Sequence, residues 1–191
     1  MRRYTTIILL AVIGAAVYAQ VPTTEPSSDY AITPMRVQTL KGAPNYLYSE
    51  GETTLDAVKQ TVDTNFNPLR DLFESGKLQA TGPAIFVFTG ISMDISKPFK
   101  IRTGLPVKAD VAAFDNYKVR ALPALRAATV VFNGGLANLS AAYVKIYSDI
   151  FAAGLRPTGE TRETYLHWEG ADSSNNIILI QVGVEDLPQP K

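Results

Sequence analysis

The two halves of this chain repeat one another. An offset of 84 residues pairs Tyr48 with Phe132, Gly51 with Gly135, Leu55 with Leu139, Val62 with Ile146 and Phe66 with Ile150. An offset of 79 then pairs Phe86 with Tyr165, Ile101 with Ile180 and Gly104 with Gly183. The difference falls in the loop after the first helix, where added length costs little. Apolar matches arise easily by chance, so the two glycine pairs carry most of the weight. A repeat of this length is a doubled supersecondary unit.

Hydrophobic spacing says what the unit is. Tyr46 and Tyr48 alternate with Leu47 as in a strand, within Asn45 to Ser49. Thr53 and Thr54 then offer a hydroxyl cap, and Leu55, Val58, Val62, Phe66, Leu69 and Phe73 recur at helical spacing up to Gly76. Pro68 predicts a kink there, or a restart capped by Asn67. Ala84 to Phe88 and Phe99 to Val107 read as strands, as do Tyr117 to Ala121 and Ala127 to Phe132. A second helix carries Leu139, Tyr143, Ile146, Tyr147 and Ile150 and ends at Gly154. Glu163 to Trp168 and Ile177 to Val184 close the chain as a hairpin turning at Asp172 to Asn175. The expected fold is α+β: duplicated β-α-β-β units with pseudo-twofold symmetry, antiparallel sheets each covered by a helix, and a central groove able to hold a ligand.

Composition narrows the chemistry. The 191 residues hold 18 basic and 18 acidic side chains, one histidine and no cysteine. Zero formal charge gives no electrostatic reason to expect a nucleic-acid partner. Without cysteine there is no disulfide, thiolate metal site or Cys nucleophile, and one imidazole excludes any two-histidine site. No metal site is expected. The first residues form a signal peptide by pattern: Arg2 and Arg3, the apolar run Ile7 to Val17, then Val17-Tyr18-Ala19 as the cleavage site. That run is shorter than the ~20 residues of a membrane span. Residues 1–19 are therefore expected to direct export to the periplasm or medium and to leave no transmembrane anchor after cleavage. Residues 20–34 read as a flexible Pro/Thr/Ser-rich lead-in, and 35–187 as the folded domain, a monomer.

Gly154-Leu155-Arg156-Pro157-Thr158-Gly159, followed by Arg162-Glu163-Thr164-Tyr165-Leu166, resembles the signature of the gyrase-inhibitor-like family, the AraC-type effector-binding domains. The resemblance runs backward through Val119 to Ala124, Ala127 to Phe132 and Ala142-Tyr143, and is looser over 35–107, where Gly82-Pro83 and Gly104 to Val107 fit best. It implies the same duplicated fold, shared with the SOUL haem-binding proteins, and binding of a small lipophilic, aromatic or cationic molecule in the central groove. It also implies a buried Glu as polar anchor, at the position of Glu163. Asn133 to Leu136 departs from the family's usual start of the second helix, and no helix-turn-helix segment is present, so a transcription-factor role does not carry over.

In a strand Glu163, Tyr165 and His167 share a face and Thr164, Leu166 and Trp168 the other, so the first three line the groove if Leu166 faces the helix-covered core. A carboxylate among aromatic walls must neutralise, pair internally or await a cation. The alternative is a surface pairing with Arg162 or Arg126. Tyr46, Tyr48, Phe86 and Phe88 are candidate aromatic walls, and Trp168 is placed beneath or beside the groove. By the 79-residue offset Glu163 matches Ala84, leaving one carboxylate and disfavouring two-carboxylate glycosidase chemistry. The expected activity is sequestration or sensing without a cofactor. If the chain is an enzyme, some relatives imply hydrolysis of strained electrophiles by Glu163 with Tyr165 assisting. Haem binding rests on the SOUL fold analogy alone.

Overall fold

The computed structural model describes residues 29–91, 94 and 96–187. The export signal and most of the lead-in expected over residues 1–34 lie outside the described residues. Among the described residues nine strands and two helices follow one another as β1 (Tyr30–Ile32), β2 (Arg36–Leu40), β3 (Ala43–Thr53), α1 (Val58–Glu74), β4 (Ala84–Thr89), β5 (Phe99–Pro106), β6 (Lys118–Leu122), β7 (Leu125–Gly134), α2 (Leu139–Ala152), β8 (Leu155–His167) and β9 (Ile177–Asp186). A single 3₁₀ turn, Leu136–Asn138, precedes α2. Among the described residues no helix is long and apolar enough to cross a membrane.

The chain is α+β, as expected, but the strands form one sheet rather than two. Its order is β1-β7-β9-β8-β4-β5-β3-β6, with β2 also on β7, and every pairing is antiparallel. The junction is β4 on β8, where Phe86 faces Glu163 and Ile85 faces Thr164. From that junction outward, β4-β5-β3 and β8-β9-β7 follow the same order in each half. The recurring glycines, however, do different work. A Cβ on Gly104 would collide with the Leu47 carbonyl and the Tyr48 backbone on β3; one on Gly183 would collide with the Thr158 hydroxyl on β8.

Both helices pack into one core on one face. Val58, Val62, Phe66 and Leu69 from α1, and Leu139, Ala142, Tyr143, Ile146 and Ile150 from α2, are buried. They join Leu47, Phe86, Phe88, Ile101, Ile178 and Ile180 from the strands. α1 packs against β3 and β5, and α2 against β7, β8 and β9. The helices therefore flank the β4–β8 junction. Strand alternation sends the neighbouring residues to the other face, where Tyr46, Tyr48, Val87 and Leu122 form a second, smaller cluster.

Several local expectations are corrected. α1 runs unbroken through Pro68, which is exposed and neither ends nor restarts the helix. The N-cap is Ala57 and makes no side-chain cap bond, so Thr53 and Thr54 do not cap it. Tyr30–Ile32 pairs with β7, which brings ordered sheet inside the stretch read as a tether. β8 begins at Leu155, eight residues before Glu163, and reaches it through a register shift between Pro157 and Thr161.

Candidate functional site

Between α1 and the strands at the β4–β8 junction lies a cavity of about 500 Å³. α1 contributes Phe66, Arg70, Phe73 and Glu74 to its wall; the strands contribute Phe86, Leu105 and Tyr165, with Leu166 and Trp168 at the far end of β8. The wall is an aromatic relay. Phe66 meets Phe86 edge-on at 4.9 Å between ring centroids, Phe86 meets Tyr165 at 4.8 Å, and Tyr165 meets Trp168 edge-on at 5.5 Å. Such contacts are worth about 0.5–1.5 kcal/mol each beyond the area they bury. They also hold the rings in fixed orientation around the cavity.

Glu163 sits behind this wall. It is 1% exposed. The Tyr165 hydroxyl donates to its Oε2 at 2.7 Å, and the Tyr143 hydroxyl donates to its Oε1. No Lys, Arg or His pairs with it among the described residues: Arg162 is bound to Glu160 and Arg126 to Asp186. The surface pairing weighed from the sequence is thereby replaced by burial. Burial pushes the Glu163 carboxyl above its usual range, against the opposing pull of the two tyrosine hydroxyls. Burial pushes both tyrosines well above theirs too, and the neighbouring carboxylate adds to it. The three groups form a closed acid–hydroxyl cluster whose Tyr165 ring is also part of the cavity wall.

Arg70 is the one cationic side chain among the described residues of that wall, and carboxylates offset it. Its guanidinium lies 3.6 Å from Glu74 and 3.7 Å from Asp71. Its Nε and Nη1, together with Trp168 Nε1, are buried without a hydrogen-bond partner. Among the described residues no group of three or more acidic or histidine side chains is placed to hold a metal ion.

The candidate residues separate into three groups. Glu163, Tyr165, Phe86 and Trp168 come together at the cavity. Phe88 is in the helix-side core beside Phe99, away from the cavity wall. Tyr46 and Tyr48 are stacked 5.2 Å apart on the opposite face, where the Tyr46 hydroxyl donates to the Ile85 carbonyl at 2.5 Å; they cannot wall the same groove. His167 is exposed and bonded to Glu169 at 3.0 Å. A register shift between Tyr165 and His167 breaks the two-residue alternation, so Leu166 rather than His167 lines the cavity. The premise about faces is also reversed, because Glu163 and Tyr165 are on the helix-covered side. Phe66, Arg70, Phe73 and Tyr143 are the residues that sequence reading missed as site components. Tyr143 carried a signal: a tyrosine in a buried helical stripe needs a partner for its hydroxyl.

No protein-family model matches this sequence, and no curated protein sequence matches it. Solved structures do. The fold is similar to the EcmrR C-terminal domain, with a TM-score of 0.65 and 19% identity over 81% of this chain and 98% of that one. The chain spans 60% of EcmrR as seen in an EcmrR–DNA complex, with a TM-score of 0.64. It is also similar to SAV2435 bound to tetraphenylphosphonium, with a TM-score of 0.54 and 13% identity over 80% of this chain and 94% of that one. At such identities the likeness is one of fold.

Proposed function

We propose that this chain binds one lipophilic aromatic cation in the cavity beside α1, with Glu163 supplying the negative charge from behind the Tyr165 ring. One observation carries the reading: a carboxylate 1% exposed, held by two tyrosine hydroxyls and paired with no cationic side chain among the described residues, backs a wall of aromatic rings. Taking such a group out of water is costly, and a cation in front of it offsets part of that cost. The Tyr165 ring is where the cation would sit. Its hydroxyl donates to the carboxylate, which enriches the ring in electron density and strengthens a cation–π contact worth about 0.5–2 kcal/mol. Arg70 does not oppose this, because Asp71 and Glu74 flank it.

Two further lines support the reading. The sequence resembles gyrase-inhibitor-like effector-binding domains over most of its length, and we place it with them. The fold likeness extends to a protein whose structure holds tetraphenylphosphonium, a lipophilic aromatic cation. The same order of strands outward from β4–β8 suits an origin by duplication, after which one half kept Glu163 while the other carries Ala84. Residues 1–19 would take the protein out of the cytoplasm; recovery of a chain beginning at Gln20 outside it would test that step.

The test of binding is calorimetric. Full-length protein is titrated with tetraphenylphosphonium and with neutral triphenylphosphine oxide. Glu163→Gln should weaken the cation about tenfold and the neutral compound less than about twofold. Equal losses for both ligands would falsify the charge role, and no binding of either would remove the function.

A further inference from the structure

We propose that a second cavity, on the sheet face away from the helices, is a binding site for a small organic carboxylate. This cavity of about 390 Å³ is floored by Arg162, Thr164 and Gln181 and rimmed by Lys41. The register puts Arg162 directly beside Gln181, one strand over, and beside Val87 on the other side. Strand parity therefore turns Arg162 to this face while its neighbour Glu163 turns to the helices.

Arg162 is a buried charge with hydrogen-bonding capacity left over. Its side chain is 3% exposed. Nε and Nη2 are bound to Glu160 Oε1 at 2.7 and 2.6 Å, and Nη1 donates to the Pro123 carbonyl at 2.9 Å. A guanidinium has five N–H groups, so Nη1 and Nη2 each retain one. The local charge is uncompensated as well. Glu160 is shared between Arg162 and Arg102, the latter at 3.9 Å, so one carboxylate faces two guanidiniums. Lys41 adds a third positive charge at the rim, and no Asp or Glu is among the described residues of the wall.

The rest of the wall states the ligand's shape. Pro44, Pro83 and Pro106 with Leu122 offer rigid apolar surface, suited to a compact hydrocarbon or aromatic body. Thr164 Oγ1 accepts from Gln181 Nε2 at 2.6 Å, which leaves the threonine hydroxyl hydrogen available as a neutral donor. A planar carboxylate matches a guanidinium edge in a way that a point anion does not. The site is separate from the helix-side cavity and of opposite charge preference. The two approach each other only where Gly82 and Pro83 border both.

The experiment is an amide- and guanidinium-detected NMR titration of the full-length protein with benzoate, and with benzamide as the neutral isostere. Benzoate should give saturable shifts at Gly42, Thr164, Gln181 and the Arg162 Nε–H, and bind about tenfold more tightly than benzamide. Lys41→Gln, at an exposed rim position, should weaken benzoate about threefold and leave tetraphenylphosphonium affinity unchanged. Arg162→Gln should abolish the preference for benzoate; should that variant fail to fold, the wild-type and Lys41→Gln titrations decide the matter alone. Equal affinity for benzoate and benzamide, shifts clustered at Tyr165 and Trp168 instead, or no saturable shifts would each overturn the proposal. The first and third of these outcomes leave the proposed cation binding beside α1 untouched, whereas shifts at Tyr165 and Trp168 would count against it too.

Discussion

Tyr143→Phe removes one oxygen from the interior and should reveal the charge state of Glu163. The Tyr143 hydroxyl donates to Glu163 Oε1, and Tyr165 holds Oε2 at 2.7 Å, so the variant leaves one carboxylate oxygen with no donor. A hydrogen bond to a buried charged group contributes about 1.5–3 kcal/mol, and one between neutral groups about 0.5–1.5. The expected loss is therefore about 2 kcal/mol where Glu163 is ionised and about 1 kcal/mol where it is protonated. For a chain of this size each kcal/mol moves the melting temperature about 2–4 °C, so the variant should melt about 4–8 °C lower at high pH and about half that lower at acid pH. The sign follows from linkage. Burial raises the Glu163 pKa, so the folded protein holds this proton more tightly than the unfolded chain. Wild-type stability conferred by this group is then full below the ordinary glutamate range and falls as pH rises through the folded pKa. Losing a donor that favours the ionised form raises that pKa further and steepens the fall. Calorimetric melting of wild type, Tyr143→Phe, Glu163→Gln and the double variant over a pH series reads all of this. A Tyr143→Phe loss that is the same at every pH, or the same in the Glu163→Gln background, would refute the coupling.

The remaining predictions concern the frame, the hairpin and the linked proton. Gly104→Ala should destabilise by about 1–3 kcal/mol, because its Cβ meets backbone atoms of Leu47 and Tyr48, which cannot step aside as a side chain can. Gly76→Ala, where φ is +75° and nothing lies nearby, should cost only the left-handed penalty of about 1–2 kcal/mol; urea denaturation compares the two. Hydrogen bonds from His167, then Asn175 and Ser173, hold Glu169 down at about 2, so His167→Ala should lift its NMR titration midpoint while leaving tetraphenylphosphonium affinity unchanged. A loss of cation affinity in that variant would put His167 back at the site. Cation binding should release a proton when the pH is near the raised pKa of Glu163, since the bound charge favours ionisation. Calorimetry in two buffers of different ionisation enthalpy detects that release, and Glu163→Gln should show none.

What was legible in the sequence was whatever depended on local periodicity. The stripe Val58, Val62, Phe66, Leu69 needs only a 3.6-residue period, and the run Ala84 to Phe88 needs only its apolar length and flanking turns. β2 had neither signal. Four of its five residues are exposed, and what makes it a strand is its pairing with β7 about ninety residues away. Parity along β8 was readable as far as Tyr165 and failed at His167, because a bulge is a property of two strands and is not encoded in the spacing of one. Face assignment failed for the same reason. Alternation says that Tyr46 and Tyr48 share a side, but only the positions of α1 and α2 say which side is covered.

The repeat read from the sequence shows where such reading reaches its limit. A repeat in sequence predicts equivalent elements, and the strand order outward from β4–β8 is equivalent. It does not predict equivalent contacts, and Gly104 and Gly183 make room for different neighbours. A second departure lies at the β4–β8 junction, where Phe86 faces Glu163. An acid at that position has an aromatic ring from the opposite half at its side, two hydroxyls from its own half as donors, and little access to water. Had the first half carried a matching acid in place of Ala84, two buried carboxylates would share one junction and one of them would stay protonated. Under the proposed function, that single acid, with no cationic side chain paired to it among the described residues, is what makes the cavity it backs prefer a cation.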